Sequence, residues 1–179
     1  GGGWGEGASM SPLFPTNIQA FANKGPSRRP HRQSRLDVDN SWFTLLTQNT
    51  APIHFDRHYA AGTEFGRPLV DSTFTLALVT GQSVPDVSQN VMANLGWDEV
   101  RLPAPVYEGD TIYSESEVLV VRESRSRPEV GIVAVRTTGS NQDGVVVITF
   151  VRTIMVYRRG HGPSGNRPRP APTHPGPAR

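Results

Sequence analysis

Hydrophobic spacing divides the middle of the chain into a helical part and a strand part. Apolar residues recur at helical spacing up to about residue 83. This pattern predicts helices over residues 40–48, 57–64 and 72–83, with Asp39 or Asn40 capping the first and Asp56 the second. The third predicted helix is apolar on nearly every side, which is typical of a helix surrounded by other elements.

From residue 91 onwards, β-branched and aromatic residues dominate. They predict four strands, over residues 91–102, 111–122, 131–139 and 145–157. Turn signals at residues 107–110 and 141–144 join the last strands into an antiparallel meander. A buried helix followed by a long antiparallel sheet predicts an α+β domain in which the sheet wraps around the central apolar helix, which is the hot-dog arrangement.

Composition separates the two ends of the chain from this middle part. Residues 1–31 are rich in Gly, Pro, Ser and Asn, and we expect a disordered leader there. Residues 161–179 are predicted to be a disordered tail rich in proline and arginine. A single domain over residues 32–160 remains, long enough to bury its own core.

Charge and composition narrow the function classes. Residues 37–159 carry a net charge of −5, against +4 for residues 1–36 and +3 for residues 160–179. An acidic domain argues against binding to nucleic acid. The absence of cysteine excludes disulfides and thiolate chemistry, and the lone lysine, Lys24, lies outside the predicted domain. No apolar run is long enough to span a membrane, so we expect a cytoplasmic protein.

The candidate chemistry lies in residues 49–80. His54 follows a proline turn and precedes a helix start, and an imidazole can accept and return a proton near neutral pH. A loop containing Gly66 leads into the third predicted helix. The first N–H groups of that helix, on Ser72 and Thr73, are then candidates for stabilising an oxyanion. The sequence therefore predicts an acid–base site beside a helix N-terminus.

Three motifs in this order resemble the MaoC-like dehydratases, the R-specific enoyl-CoA hydratase group of hot-dog proteins. They are LTQNTAPIHFD (46–56), FGRPLV (65–70) and PVYEGD (105–110). NLGWDEVR (94–101) and RESRSRP (122–128) resemble the branch that includes itaconyl-CoA and mesaconyl-CoA hydratases. The resemblance implies hydration or dehydration of the α,β double bond of a short enoyl thioester on CoA or a carrier protein. It leaves branched and dicarboxylic acyl groups open, and it implies no cofactor.

In that family an aspartate and a histidine, spaced D-x4-H, activate water and deliver a proton to the α-carbon. His54 matches the histidine, but Asn49 stands at the aspartate position. A His-Gly pair at the head of the family's central helix is replaced by Asp71 and Ser72. Two interpretations remain: Asp71 supplies the carboxylate while Asn49 orients the water, or the activity has been lost.

The remaining site predictions concern substrate charge. CoA phosphates need cationic partners, and the candidates are Arg101, Arg122, Arg125 and Arg127. Each of them can equally be a solvated charge at a strand edge. Arg67 is the candidate for a carboxylate on the acyl group. His54 and His58 have metal-ligand spacing, but no third ligand is evident, so we expect no metal.

Two alternative functions stay open at this stage. One is a thioesterase of the same fold, in which water attacks the carbonyl carbon. The other is a non-catalytic subunit that binds acyl thioesters, which Asn49 favours. One helix on one sheet leaves a sheet edge and a helix flank uncovered, so we expect a homodimer or a larger even oligomer.

Overall fold

The computed structural model describes the backbone of residues 27–29 and 36–163, with side chains from residue 38 onwards. Three α-helices precede four long strands. The helices are α1 (Leu36–Thr47), α2 (Arg57–Ala61) and α3 (Ser72–Ser83). A 3-10 turn over Pro52–His54 comes before α2, and a π-helical turn over Val84–Ser88 follows α3. The strands are β1 (Ser27–Arg29), β2 (Val91–Arg101), β3 (Tyr113–Glu123), β4 (Val130–Ser140) and β5 (Val146–Tyr157).

The strands form one antiparallel sheet in the order β1-β3-β4-β5-β2. The meander predicted for the last three strands is confirmed, and the long β2 pairs with β5 at one edge. Helix α3 packs against β3 and β4. The predicted α+β hot-dog domain with a central helix is therefore confirmed.

Helix α3 approaches the sheet closely at Gly139 of β4. A Cβ atom there would lie 2.7 Å from Ile148 Cγ2 and 2.9 Å from Val79 Cγ2, so only glycine lets the helix approach to this depth. Val79 and Ile148 belong to a core cluster that also contains Val70, Val106, Ile112, Val147 and Phe150. The cluster begins directly beside the head of α3, where the candidate site lies.

Two predictions about the helices are wrong. Neither Asp39 nor Asn40 caps α1, because the helix begins at Leu36 and both residues lie inside it. Helix α3 is not surrounded on all sides: Thr73, Ala77 and Gly81 are exposed. One curved sheet covers only part of the circumference of a helix, so the opposite flank stays open in a single chain. The Asp56 cap is confirmed, since its Oδ1 accepts from Tyr59 N at 2.9 Å.

Residues 27–29 fall within the range predicted to be a disordered leader. They form β1, which pairs with Ser114–Ser116 at the edge of β3 through backbone hydrogen bonds. Residues 1–26 and 164–179, which hold most of the predicted leader and tail, lie outside the described residues.

Candidate active site

His54 is placed by the turn that Pro52 begins. Its Nδ1 lies 3.0 Å from the backbone oxygen of Leu69, and its side chain is 14% exposed. A carbonyl oxygen only accepts hydrogen bonds, so Nδ1 must carry the proton and donate it. In the neutral ring Nε2 is then left with a lone pair. This nitrogen lies 4.0 Å from Oδ2 of Asp71.

Asp71 is the N-cap of α3 and is almost fully buried. Its Oδ1 accepts from the backbone N–H of Thr73 at 2.7 Å, from that of Phe74 at 3.1 Å, and from the Thr73 hydroxyl. Burial by itself would raise the pKa of this carboxyl, but the hydrogen bonds from Thr73, Asn49 and Phe74 outweigh it and hold the pKa below its usual range. Asp71 is therefore an anion at neutral pH.

Asn49 connects the loop after α1 to this carboxylate. Gln48 ends α1 in the left-handed region, with φ 58°. The Asn49 amide then donates from Nδ2 to Asp71 Oδ2 at 2.5 Å, while its Oδ1 accepts from Ala51 N at 3.1 Å. The structure thus brings His54, Asn49 and Asp71 together, with the carboxylate supplied by the helix head and not by the loop.

Asn40 is a residue of the site that sequence reasoning missed. It is buried, and its Nδ2 donates to the backbone oxygens of His54 at 2.9 Å and of Leu69 at 3.1 Å. Its Oδ1 accepts from the backbone N–H of Asp71 at 2.8 Å. One side chain of α1 therefore ties the histidine turn to the head of α3. Asparagine is unfavourable inside a helix, so the residue would have signalled a tertiary role had the helix start been placed correctly.

A cavity of about 270 Å³, here called the head cavity, opens at the N-terminus of α3. Its lining consists of His54, Phe65, Leu69, Val70, Ser72, Thr75, Leu102, Ala104, Pro105 and Val106. Ser72 is the first residue of α3, where the backbone N–H has no partner within the helix. Thr73, the second predicted oxyanion donor, donates its backbone N–H to Asp71 Oδ1 at 2.7 Å in this structure. Gly66 does not line the cavity; it turns the preceding loop with φ 67°.

A second cavity of about 450 Å³, here called the α1 cavity, lies beside α1 and the loop that contains Asn49. Its lining consists of Ser41, Thr44, Leu45, Gln48, Asn49, Thr50 and Phe55. Asn49 belongs to this wall and also binds Asp71, which lies beside His54 of the head cavity. Asp71 itself lines neither cavity, but it contacts one residue from the wall of each.

The predicted cationic residues are not brought together. The guanidinium of Arg67 lies 3.8 Å from the centre of the Tyr107 ring, and Arg67 lines neither cavity. Arg101 is exposed and directly precedes Leu102 of the head cavity.

The other three predicted phosphate ligands, Arg122, Arg125 and Arg127, are exposed at the opposite end of the sheet. Across the sheet, Arg122 pairs with Ile132 of β4 and Ile132 pairs with Met155 of β5. Met155 in turn pairs with Ala93 of β2, so Arg122 and Ala93 lie at the same level of the sheet. Ala93 is eight residues from Arg101 along β2, a separation of about 25 Å at the usual rise of an extended strand. Within one chain, Arg101 alone of the four predicted phosphate ligands adjoins the head cavity.

Among the described residues, no three carboxylate or imidazole groups converge closely enough to hold a metal ion. No helix in the same part of the chain has the length and apolar character needed to cross a membrane.

An antiparallel sheet around one central helix, with an imidazole and a carboxylate at the helix head, defines a hot-dog domain with an acid–base site. Comparison with known families makes the assignment specific. The model of the MaoC like domain matches residues 18–141, and the chain belongs to this family.

Individual relatives agree with this assignment. The chain is 44% identical to the mesaconyl-CoA hydratase of Cereibacter sphaeroides over 106 residues, which cover 59% of this chain and 29% of the relative. It is 28% identical to the (R)-specific enoyl-CoA hydratase of Aeromonas caviae over 107 residues, which cover 60% of this chain and 75% of the relative. The chain spans only about a third of the length of several of the curated relatives that it matches.

A solved structure, that of a putative MaoC domain protein dehydratase from Chloroflexus aurantiacus, superimposes with a TM-score of 0.71 at 29% identity. The superposition covers 84% of this chain and 42% of the other. The resemblance inferred from the sequence motifs is thereby confirmed.

Proposed function

We propose that this chain is a hydratase or dehydratase that adds water to, or removes it from, the α,β double bond of a short enoyl thioester. One observation carries the proposal: Nε2 of His54, the ring nitrogen opposite the one bound to Leu69 O, faces the anionic Asp71 across 4.0 Å, beside the first N–H of α3. Two acceptors at this separation can each accept one hydrogen from a single water molecule. The activities named for the relatives, hydration and dehydration of CoA thioesters, support the same reaction.

In the hydration direction, the water oxygen attacks the β-carbon while Nε2 of His54 takes one of its protons. The electron pair of the double bond moves through the α-carbon to the thioester oxygen, which the Ser72 N–H stabilises. The imidazolium then returns the proton to the α-carbon, and the carbonyl re-forms. Because Asp71 stays ionised, its role is to hold the water and stabilise the imidazolium, and His54 serves as both base and acid.

A second candidate is a non-catalytic subunit that binds acyl thioesters. It is favoured by Asn49, because an amide cannot replace the family's aspartate as a base. The placement of Asp71 argues against it, since the missing carboxylate is supplied within hydrogen-bond reach of the same amide.

The site also supports assembly into a homodimer or a larger even oligomer. The β2 strand is an edge of the sheet, and the flank of α3 at Ala77 and Gly81 is exposed. A two-fold interface can cover both features at once. Light scattering at micromolar concentration should give at least twice the mass of the chain, and a monomer would contradict the assembly.

Purified protein with crotonyl-CoA tests the reaction. Loss of the enoyl absorbance without thiol release is the expected result. Release of free CoA thiol instead would identify a thioesterase. A protein that binds the thioester and leaves it unchanged would be the non-catalytic subunit. Repeating the assay with the crotonyl group on a carrier protein distinguishes the two kinds of thioester.

A further inference from the structure

The backbone oxygen of Leu69 is shared by two side chains of the site. It lies 3.0 Å from Nδ1 of His54, and it accepts from Nδ2 of Asn40 at 3.1 Å. The backbone N–H of Leu69 donates to Ile53 O at 3.0 Å, inside the histidine turn. Because a carbonyl oxygen only accepts, its contact with the ring decides which nitrogen of His54 carries the proton in the neutral imidazole. The position of Leu69 therefore governs which nitrogen is free to take a proton from water.

Leu69 is held from its other side by the loop between β2 and β3. It forms an isolated antiparallel bridge with Tyr107 of this loop. The next residue, Val70, donates its N–H to Val106 O at 2.9 Å. The segment at Leu69 thus lies between the histidine turn and the Tyr107 loop, and hydrogen bonds join it to both. A shift of Tyr107 would be passed to the Leu69 oxygen through this pairing.

Two side chains hold Tyr107 in place. Asp110 is buried, and its Oδ2 accepts from the backbone N–H of Tyr107 at 2.9 Å. Its Oδ1 accepts from Nε2 of Gln142 at 3.2 Å, which ties the loop to the turn between β4 and β5. On the ring side, the guanidinium of Arg67 lies 3.8 Å from the centre of the Tyr107 ring, which is a cation–π contact. Tyr107 is therefore fixed through both its backbone and its ring.

We propose that Asp110 and Arg67 are positioning residues for His54. By holding Tyr107 they fix the Leu69 oxygen, and this oxygen keeps the imidazole proton on Nδ1. The inference rests on the proposed function, in which the opposite nitrogen, Nε2, takes a proton from water. Neither positioning residue is among the described residues that line the two cavities, so each acts through the loop and not by contact with a substrate. Arg67 thereby has a role other than binding a substrate carboxylate.

The tautomer of His54 tests the proposal without requiring turnover. NMR of the histidine nitrogens, on the full chain at a pH at which the ring is neutral, should show the parent with the proton on Nδ1. Asparagine has one acceptor oxygen where the carboxylate uses two, so Asp110→Asn should loosen the Tyr107 loop and give a mixture of the two tautomers. A proton on Nε2 in the parent, or the parent's tautomer in Asp110→Asn, would overturn the proposal. A chain that leaves crotonyl-CoA unchanged but shows this response would contradict the reaction and support the positioning.

Activity gives the second measurement. With crotonyl-CoA, kcat should fall about tenfold in Asp110→Asn, since a small misplacement of a reacting group is costly. Asp143→Asn is the matched control, because the exposed Asp143 accepts from the same Gln142 amide at 3.2 Å but lies in the other turn. It should leave both kcat and the tautomer as in the parent. Equal losses in the two variants would overturn the role of Asp110.

Arg67→Ala repeats the test at an exposed side chain, where the fold is not at risk. It should lower kcat about threefold and shift the tautomer in the same direction, because a cation–π contact at an exposed site is weak. Arg136→Ala is its control, since Arg136 is also exposed and pairs with Glu117 at 3.6 Å on the sheet. A lower melting temperature with the parent's tautomer and kcat would show a structural role only and would overturn the proposal. Should Asp110→Asn fail to fold, this variant alone decides.

Discussion

The two ends of α3 each hold a buried charge, and the charge at the N-terminus lies beside an imidazole that lines a cavity. Asp71 caps the N-terminus and binds Thr73, Phe74 and Asn49. At the C-terminal end, Nη2 of the buried Arg152 donates to the hydroxyls of Ser83 and Ser88, at 3.2 Å and 3.1 Å. Both charges have the sign that the helix macrodipole favours. The difference is that Asp71 lies beside His54, which lines the head cavity, and binds Asn49, which lines the α1 cavity.

Arg152 shows the same electrostatics with two hydroxyls in place of a titratable neighbour. Burial lowers the pKa of its guanidinium, and Nε makes no hydrogen bond within the described part of the chain. A charge held by two hydroxyls joins the sheet to the end of the helix but has no group with which to exchange a proton. We therefore expect mutations at the head of α3 to change turnover and mutations at its C-terminal end to change stability.

The largest expected effect is on turnover when His54 is replaced. His54→Ala should lower kcat about 10²–10⁴-fold, as is usual for the loss of a general acid–base group, with little change in the melting temperature. His58→Ala is the matched control, because His58 is exposed on α2 and lines neither cavity. Residual activity above a tenth of the parent value would remove His54 from the mechanism.

Exchanging the amide and the carboxylate tests whether the charge has to come from the helix head. Asp71→Asn should lower kcat about 100-fold, and Asn49→Asp should impair the enzyme because two carboxylates would then share the 2.5 Å contact. The double variant Asn49→Asp with Asp71→Asn restores one charge and one amide, and asparagine still caps a helix. It should recover most of the kcat lost in either single variant. Additive losses in the double variant would contradict the shared site.

Asn40 supports the head of α3 without contacting either cavity. Asn40→Asp keeps the acceptor for Asp71 N but cannot donate to the backbone oxygens of His54 and Leu69. We expect kcat to fall about tenfold with KM nearly unchanged, because the variant displaces the acid–base pair and not the substrate-binding walls. A purely structural role would lower the melting temperature and leave the kcat of the folded fraction unaltered.

At the C-terminal end of α3 we expect substitutions to change stability more than turnover. Arg152→Ala leaves a cavity and two buried hydroxyls without their donor, and we expect it to lower the free energy of unfolding by about 2–4 kcal/mol. Arg152→Met fills the space and removes the buried charge, so its cost should be smaller. Urea denaturation gives these values. Steady-state assays of both variants should show kcat within twofold of the parent, and a larger loss would break the contrast between the two ends.

The smallest expected effect is the pH dependence that Asp71 adds to stability. Its pKa in the folded protein lies below the usual value near 3.9, so the folded state favours the ionised form. This contribution is complete above the unfolded pKa and is lost as the pH falls through the folded pKa. The difference in unfolding free energy between the parent and Asp71→Asn should therefore shrink from pH 6 to pH 3. A difference that grows towards acid pH would mean that the pKa is raised.

The elements with strong local patterns could be predicted from the sequence. Helix α3 agrees with its predicted range, and the four long strands agree within two residues at each end, because their hydrophobic periods are clear. Strand β1 could not be predicted, since Ser27–Arg29 joins the sheet through backbone hydrogen bonds and has no apolar pattern.

The proximity of candidate site residues follows from the sequence where a motif lies next to a helix start, but not where the register of the sheet decides it. His54, Asn49 and Asp71 lie together because one loop and one helix head carry them. Arg101 and Arg122 are separated because sheet register, which sequence spacing does not reveal, places them at different ends. Asn40 was missed because its role depends on backbone groups 14, 29 and 31 residues away.

The close approach at Gly139 has a geometric consequence for the distant head of α3. Val79, which touches the sheet there, follows Asp71 by eight residues, or about 12 Å along the helix axis. The helix moves as a rigid rod, so its depth in the sheet sets how far the carboxylate stands from the imidazole. The distance between the Asp71 carboxylate and the His54 imidazole therefore depends on β4. It is the missing Cβ of Gly139, two helical turns from Asp71, that sets the depth of the helix.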